Sequence, residues 1–262
     1  MRRMFMAGLK ACTTRVGLTA CTSRAVLKAR TARAAVGACA ALVMVGVLMT
    51  PSMASAQQSW NFSVGGFVPR GEDGRSRDDV LVNNLDFLAF NIKDFSGATV
   101  GTEWLTGIGD KFEAGLGAGY YARTVPAVYL DFVNVNGTEI EQDIKLRVVP
   151  LTATIRFLPM GHNNGIEPYI GAGVGVLMWR YSETGQFLAT DSSIFRDSFV
   201  TKGSASGPII LGGIRIPVGT WGLGFEARHQ SAEGNIPADQ DFAGTKIDLG
   251  GFTYNFTIHV RF

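Results

Sequence analysis

The chain ends in a run in which every second side chain is apolar. One face carries Phe252, Tyr254, Phe256, Ile258, Val260 and Phe262, and the other carries Thr253, Asn255, Thr257, His259 and Arg261. Because successive side chains of a β-strand point to opposite faces, this run predicts a strand with one apolar and one polar face. A soluble antiparallel sheet also shows such alternation, so the run alone leaves open whether the apolar face meets a core or lipid.

Similar runs recur along the chain at the spacing of successive strands. Including the last run, eight are found, approximately at 60–68, 98–109, 111–124, 144–158, 169–183, 206–218, 221–230 and 246–262. After residue 56 no uncharged apolar run approaches the roughly 20 residues that a membrane-spanning helix needs. Alternating segments of about ten residues separated by turn residues are instead typical of transmembrane β-strands. The sequence therefore predicts an all-β protein with eight membrane-spanning strands.

Residues 1–56 have a different character from the rest. They hold eight of the 24 Lys and Arg residues and none of the 22 Asp and Glu residues, so the remainder has a formal charge of −6. A basic stretch ending at Arg33 is followed by an apolar run over 34–49 and by the small residues Ala54 and Ala56 before Gln57. This is the layout of a secretory signal peptide. We expect cleavage after Ala56, leaving residues 57–262 as the mature domain.

The composition of the mature segment excludes several classes of protein. All three cysteines, Cys12, Cys21 and Cys39, lie in the leader, so neither a disulfide scaffold nor a thiolate metal site is expected in 57–262. The sequence pI of about 8.5 reflects the basic leader. A nucleic-acid partner is therefore not expected, and neither a metal nor a cofactor is predicted.

Long and short connections alternate along the predicted strands. The long ones are expected at 69–97, 125–143, 184–205 and 231–245, and tight turns at Asp110 and Gly219-Thr220, with 159–168 as a longer exception. Eight strands with this alternation place both termini at the short-turn end. The first connection contains an apolar segment, 79–90, in which Leu81, Leu85 and Leu88 have helical spacing. It predicts a short helix over the barrel mouth, with an extra hairpin and ten strands as the alternative.

The strand pattern and the terminal aromatic residue resemble the small bacterial outer-membrane barrels of the OmpA and OmpW type over residues 57–262. The resemblance implies a closed antiparallel up-and-down barrel in the outer membrane of a Gram-negative bacterium, with both termini periplasmic. It also implies that the insertion machinery reads the last strand, here through Tyr254, Phe256, Ile258, Val260 and Phe262. The implied partners are outer-membrane lipid, lipopolysaccharide, the insertion machinery and periplasmic chaperones, and the ligand of the loops is left open.

Strand parity sorts the side chains of such a barrel into lipid-facing and lumen-facing sets. The inward set contains the charged residues Glu103, Glu113, Arg156, Arg215, Glu226, Arg228, His259 and Arg261. Isolated buried charges are costly, so acids and bases here are expected to pair as a plug; an ion or proton path is the alternative. Inward glycines at 115, 117, 119, 171, 173 and 175 are expected to make room for large fillers, Tyr121, Trp179 and Tyr181.

One stretch carries a pattern that suggests catalysis. His229 and Ser231 resemble the base and nucleophile of outer-membrane lipid A deacylases, although Ala232 stands where that family has Asn. The nearest downstream acids, Asp239 and Asp241, lie in a predicted loop, so no complete triad is evident. We therefore predict a non-enzymatic barrel with a structural or surface-interaction role. The alternatives are a narrow channel for small hydrophobic molecules, as the OmpW resemblance implies, and then a lipid A deacylase.

Overall fold

A computed structural model describes residues 58–162, 165–189 and 191–262, which form mostly β-strands. In chain order the elements are β1 (Gln58–Pro69), α1 (Val80–Asn84), β2 (Leu88–Ala89), β3 (Gly97–Ile108), β4 (Phe112–Val133), β5 (Glu139–Phe157), β6 (Glu167–Leu188), β7 (Ile194–Val218), β8 (Trp221–Gln230), β9 (Glu233–Asn235), β10 (Lys246–Asp248) and β11 (Gly251–Arg261). Short 3-10 helices, Glu72–Gly74 and Ile92–Phe95, flank α1 and β2. The predicted cleavage site at Ala54, Ala56 and Gln57 lies outside the described residues.

Eight long strands close into a single antiparallel barrel. Around the ring the order is β1, β3, β4, β5, β6, β7, β8 and β11, and β11 pairs with β1 to close it. Strand β2 adds two residues to the edge of β4, while β9 and β10 pair separately. The ring of eight paired antiparallel strands confirms the predicted up-and-down barrel. Closure of the ring leaves none of its strands with an unpaired edge.

The two ends of the barrel differ in their connections. At one end, named the turn end, the chain passes from β3 to β4, from β5 to β6 and from β7 to β8, with the β5–β6 connection, 158–166, the longest of the three. Ser59 pairs with Arg261, so that both ends of the barrel segment also meet there. At the opposite loop end lie the connections 70–96, 134–138, 189–193 and 231–250. This placement agrees with the alternation read from the sequence.

Two of the predicted long connections are wrong. Most of 125–143 and 184–205 belongs to β4, β5, β6 and β7, which continue well past the predicted strand ends. In the extension of β5 the inner face is buried through Ile140 and Gln142, whereas the outer face exposes Glu141 and Asp143. These outer side chains of β5 are polar, so a search for lipid-facing apolar residues ends that strand too early, although the extension of β4 still exposes Leu130 and Phe132.

The last predicted run is also divided. The segment 246–262 contains β10 and β11, separated by Leu249 and Gly250, where the chain turns into the wall. Asp248 holds this corner: its Oδ1 accepts a hydrogen bond from Gly250 N at 2.7 Å, and its Oδ2 pairs with Arg70 Nη1 at 3.0 Å. Only β11 therefore belongs to the barrel wall.

The outer surface of the barrel carries a continuous apolar belt. All eight barrel strands contribute exposed large hydrophobic side chains: Trp60, Phe62, Val64, Val68, Val100, Ile108, Phe112, Leu116, Tyr120, Leu151, Ile155, Ile170, Val174, Val176, Met178, Ile210, Ile214, Ile216, Val218, Trp221, Leu223, Phe225, Phe252, Tyr254, Phe256 and Ile258. Phe256 alone exposes 69% of its surface. Soluble monomers rarely expose a contiguous patch of this extent, whereas a lipid-embedded barrel requires one.

The helices of the described ranges are short. None of them is long and apolar enough to cross a membrane.

Candidate functional site

The middle of the lumen is filled by ion pairs centred on Arg156. Its guanidinium pairs with Glu103 and, from Nη2, with Glu226 Oε2 at 2.8 Å. Arg228 Nη2 donates to Glu226 Oε1 at 2.9 Å, and Tyr169 donates its hydroxyl to the other oxygen of Glu226 at 3.0 Å. Arg156 also lies 4.8 Å from the centre of the Tyr169 ring, within the range of a cation–π contact.

A second group of ion pairs lies nearer the turn end. Arg215 bridges two acids, with Nη2 at 2.7 Å from Glu113 Oε1 and Nε at 2.8 Å from Glu167 Oε2. Arg261 Nη2 pairs with Glu167 Oε1 at 2.6 Å. The ring of His259 lies 3.1 Å from Arg215 Nη1, measured to Nδ1. Together the two groups form what we name the lumen network: Glu103, Glu113, Arg156, Glu167, Arg215, Glu226, Arg228, His259 and Arg261.

The lumen network is balanced in charge. Its four glutamates face four arginines, and each of these side chains has at least one oppositely charged partner within 4.0 Å. The structure brings together all eight charged residues sorted inward from the sequence. It adds Glu167, which the sequence analysis assigned to a turn. Tyr169 and Gly171 point inward, and the same alternation continued two residues toward the N-terminus would have placed Glu167 in the lumen as well.

Three of the inward glycines, Gly115, Gly117 and Gly171, border this network, and none of the six lies against a predicted aromatic filler. A Cβ on Gly115 would lie 2.5 Å from Glu103 Oε1, and one on Gly171 would lie 3.2 Å from Cγ of Arg156. The predicted fillers Tyr121, Trp179 and Tyr181 are buried nearer the loop end. The expected pairing of the glycine wall with these aromatics is therefore wrong: Gly115, Gly117 and Gly171 give space to Glu103 and Arg156.

The mouth of the barrel is capped by the first long connection, and the predicted short helix is present there as α1, although it ends at Asn84 and Leu88 belongs to β2. Asp79 caps α1 by accepting a hydrogen bond from Leu81 N at 2.9 Å, and it pairs with Arg75 Nε at 3.1 Å. Asn84, at the end of α1, donates from Nδ2 to Glu183 Oε1 of the wall at 2.7 Å. Burial raises the pKa of the Glu183 carboxyl, against the opposing effect of its hydrogen bonds. We name this connection, residues 70–96, the mouth cap.

Two cavities lie between the mouth cap and the lumen network. The upper one is largely apolar and is lined by Phe67, Leu81, Phe95, Tyr121, Leu146, Val148 and Leu249 among others. The lower one is polar and reaches Asn61, Glu226, Arg228 and Asn255. Both cavities touch Thr99, Pro150, Gln230 and Thr253, so they are neighbours along the lumen.

The wall beside these cavities is weakened at Pro150. The β4–β5 pairing runs from Phe112 to Ala118 and resumes at Tyr121, leaving out Gly119 and Tyr120. Proline has no N–H to donate, and Gly119, on the facing strand, has no side chain to fill the space. The lower cavity touches the outward residues Val100 and Ala118 as well as the lumen. The interruption of the β4–β5 pairing is thus next to both cavities.

The two residues of the deacylase hypothesis have other contacts. The His229 ring packs against Phe252 on the outer surface, with ring centroids 4.7 Å apart. Ser231 Oγ accepts a hydrogen bond from Arg70 Nη2 at 3.0 Å. Within the part of the chain that the structure describes, no hydrogen bond joins His229 to Ser231.

The described segments contain no cluster of three or more His, Cys, Asp or Glu residues arranged to hold a metal.

A closed ring of eight antiparallel strands, an apolar outer belt and a polar, ion-paired interior together define a small transmembrane β-barrel. This is the class of the small barrels of bacterial outer membranes.

Comparisons with known proteins give similar solved structures, while no family model and no curated protein matches the chain. The outer membrane protein OprG from Pseudomonas aeruginosa is 15% identical with a TM-score of 0.48, over 79% of this chain and 96% of that one. Neisserial surface protein A is 12% identical with a TM-score of 0.41, over 79% and 98%. The Ail protein of Yersinia pestis is 13% identical with a TM-score of 0.37, over 80% and 100%.

Proposed function

We propose that this protein is an integral outer-membrane barrel whose lumen is closed to water-soluble solutes and whose role is structural or surface-interacting. The lumen network carries the proposal. It occupies the lumen between the polar cavity and the turn end with four acids and four bases that pair with each other. An eight-stranded barrel is just wide enough to be filled by its own side chains.

The apolar belt supports the membrane location, and the capped loop end supports the orientation. A chain delivered from the periplasm keeps its short turns and both barrel termini on that side, leaving the mouth cap outside. Outer-membrane lipid and lipopolysaccharide then surround the belt, and the insertion machinery and periplasmic chaperones act during biogenesis. Cell fractionation tests this location: the folded protein is expected in the outer-membrane fraction, with different mobilities for boiled and unboiled samples on a detergent gel.

Single-channel recording tests the closed lumen. The wild-type barrel in planar bilayers is expected to show no discrete conductance. A variant in which all four glutamates and all four arginines of the lumen network are replaced by serine removes both groups of ion pairs and should conduct ions. The matched control, Glu233→Ser with Lys246→Ser, removes an exposed ion pair at the loop end and should stay silent. Discrete channels in the wild type would contradict the proposal.

A second candidate function is uptake of small hydrophobic molecules. These molecules would enter the barrel at its mouth and leave the lumen through the wall, into the lipid of the membrane. The observation that favours it is the apolar cavity beneath the mouth cap, next to the weakened wall at Pro150. A molecule entering there need not pass the lumen network. Such a route would move apolar solutes without opening a pore for ions.

Restoring the strand pairing tests this route. Pro150→Val supplies an N–H that can join the β4–β5 ladder and should reduce uptake of a small fluorescent aromatic hydrocarbon by cells. Pro217→Val changes another proline of a barrel strand, near the turn end, and should leave uptake unchanged. Equal uptake by cells with and without the wild-type protein would rule out the second function.

A third candidate function is lipid A deacylation at His229 and Ser231. Purified membranes containing the protein should then release fatty acid from lipid A, and His229→Ala should abolish the release. No release from the wild type ends this hypothesis.

A further inference from the structure

Four cations lie together on the outer surface of β5, β6 and β7. Arg147 is paired across the strands with Arg180, and Arg180 with Lys202, so three cations form a row across adjacent strands. Lys145 lies one step nearer the loop end, opposite Ser182. Neighbouring strands are about 4.8 Å apart, so the row spans only about 10 Å. We name Lys145, Arg147, Arg180 and Lys202 the basic patch.

The basic patch lacks an ion-pair partner in the part of the chain that the structure describes. Among the ion pairs of the described residues, none includes any of its four side chains, whereas every arginine of the lumen network is paired. The nearest outward carboxylates on β5, Asp143 and Glu141, lie beyond Lys145 toward the loop end. Like charges directly opposite on a sheet are destabilising, so an anion from outside the chain would stabilise the arrangement.

The patch is shaped to receive such an anion. A shallow depression on this face is lined by Lys145, Arg147, Arg180 and Ser182. Nε of Arg147 is shielded from solvent and has no hydrogen-bond partner in the structure. Guanidinium groups bind phosphate oxygens with charge-assisted hydrogen bonds, and Ser182 adds a neutral donor at the same place.

The position of the patch identifies the source of the anion. The outward neighbours of Arg147 and Arg180 on the turn-end side are Val149 and Met178, and the next outward residues toward the loop end, Lys145 and Ser182, are polar. On β5 and β6 the cations therefore lie at the edge of the apolar belt, where lipid headgroups are expected, and they point away from the lumen. On β7 the exposed Val200 lies one outward step beyond Lys202. A site for a soluble anion could lie anywhere on the water-exposed surface and would not need to lie at the level of the lipid headgroups.

We propose that the basic patch is a binding site for the phosphate groups of a phosphorylated glycolipid of the lipid A type in the outer leaflet. The site rests on the proposed location, with the loop end outside. The acyl chains of the lipid lie along the belt residues of β5 and β6, and its phosphates bridge the row of cations. The site gives this barrel a preferred lipid on one side of its circumference.

Native mass spectrometry of the full barrel in detergent micelles tests the site with three probes: bisphosphorylated lipid A, dephosphorylated lipid A and inorganic phosphate alone. The wild type is expected to retain bisphosphorylated lipid A and not the dephosphorylated form, with millimolar inorganic phosphate a poor competitor. The variant Arg147→Gln, Arg180→Gln, Lys202→Gln should bind bisphosphorylated lipid A at least about tenfold more weakly. These side chains point outward, so the variant should keep the unboiled gel mobility of the folded barrel.

A charge-matched control removes three other exposed cations from the loop end: Arg77→Gln, Lys93→Gln, Arg196→Gln. It should bind like the wild type. Equal loss in both triple variants, or equal retention of both forms of lipid A, would overturn the site, and effective competition by inorganic phosphate would assign it to soluble anions. If the wild-type protein gives no folded band in the membrane fraction, the proposed outer-membrane location itself is contradicted.

Discussion

Arg156 and Glu226 form a fully enclosed ion pair in the centre of the barrel, with Nη2 and Oε2 2.8 Å apart. Removing one member of such a pair leaves an uncompensated charge in a medium that solvates it poorly. The whole network responds to that loss, because Glu103 and Glu226 share the same guanidinium.

Arg156→Met should lower the free energy of unfolding by about 3–5 kcal/mol, because two glutamates lose their shared cation. Urea titration of the barrel in detergent measures the change. Adding Glu226→Gln should recover part of the loss. Lys246→Met breaks an exposed ion pair and should cost about 1 kcal/mol or less. Similar costs for the two single variants would contradict an enclosed network.

Gly65 is a position where β1 passes too close to β11 for any side chain. A Cβ there would lie 1.9 Å from the carbonyl oxygen of Tyr254, whereas at Gly66 the nearest atom is 3.9 Å away. Gly65→Ala should therefore destabilise the barrel by about 1–3 kcal/mol or more, and Gly66→Ala by less than about 0.5 kcal/mol. The urea midpoints of the two variants provide the measurement. Identical midpoints would refute the close approach.

Asp79→Ala should loosen the mouth cap without unfolding the barrel. It removes the N-terminal cap of α1 and the partner of Arg75, and it leaves Asp248 N without its acceptor. Loss of a helix cap costs about 0.5–2 kcal/mol. Limited proteolysis should cut residues 70–96 faster, while the unboiled gel mobility stays unchanged. Asp73→Ala, at an exposed position in the same connection, serves as the control.

The contact between Asp78 and Thr245 should make the loop end sensitive to acid. Thr245 donates from its hydroxyl and from N, the latter at 3.0 Å, and these bonds hold the pKa of Asp78 below its ordinary value of 3.8. A lowered folded-state pKa means that the stabilisation is complete above the unfolded pKa and is lost as the pH falls through the folded one.

Pepsin cleavage of the loops, followed from about pH 5 to pH 2, should therefore rise steeply at the acid end of the range. Asp78→Asn cannot carry the charge and should remove that step. Asp191→Asn changes a carboxyl whose hydrogen bonds stay within its own turn, and it should leave the step in place. A step that survives in Asp78→Asn would assign it to another group.

Phe262→Ala should reduce the amount of assembled barrel in cells severalfold while leaving refolding in detergent unaffected. The side chain of Phe262 is 67% exposed, so it contributes little packing, and its backbone N–H bonds Gln58 O in either case. A decrease in the amount of assembled barrel in cells would therefore indicate that the insertion machinery recognises the Phe262 side chain. Phe112→Ala, another exposed aromatic at the turn end, should assemble normally. Equal losses for both variants would argue against a terminal insertion signal.

Alternation of side chains predicted most of this fold, since it is a local property that each strand displays in its own sequence. The same parity placed Glu103, Arg156 and Arg215 in the lumen. It could not give their partners, because pairing depends on the stagger of strands distant in sequence. Parity also placed the start of β5 at Ile144, five residues later than the strand begins in the structure, because the outward residues before Ile144 are polar.

The apolar cavity and the basic patch were beyond sequence reasoning for related reasons. Leu81 and Leu146 line one cavity only because the mouth cap folds back into the barrel. Arg147, Arg180 and Lys202 are each unremarkable on their own strands, and only the register of the sheet aligns them. Such groupings arise from tertiary geometry, which a single-sequence pattern does not contain.

The extended β6–β7 ladder, which stays paired up to the turn at 189–193, restricts how this surface can vary in evolution. One residue inserted after Trp179 would reverse the orientation of every later side chain in β6, turning Tyr181 and Glu183 outward and Arg180 and Ser182 inward. Flexible surface loops, by contrast, accept changes of length readily. Homologous chains should therefore differ here by substitutions, or by residues gained and lost in pairs on both strands, and hardly ever by single-residue insertions or deletions.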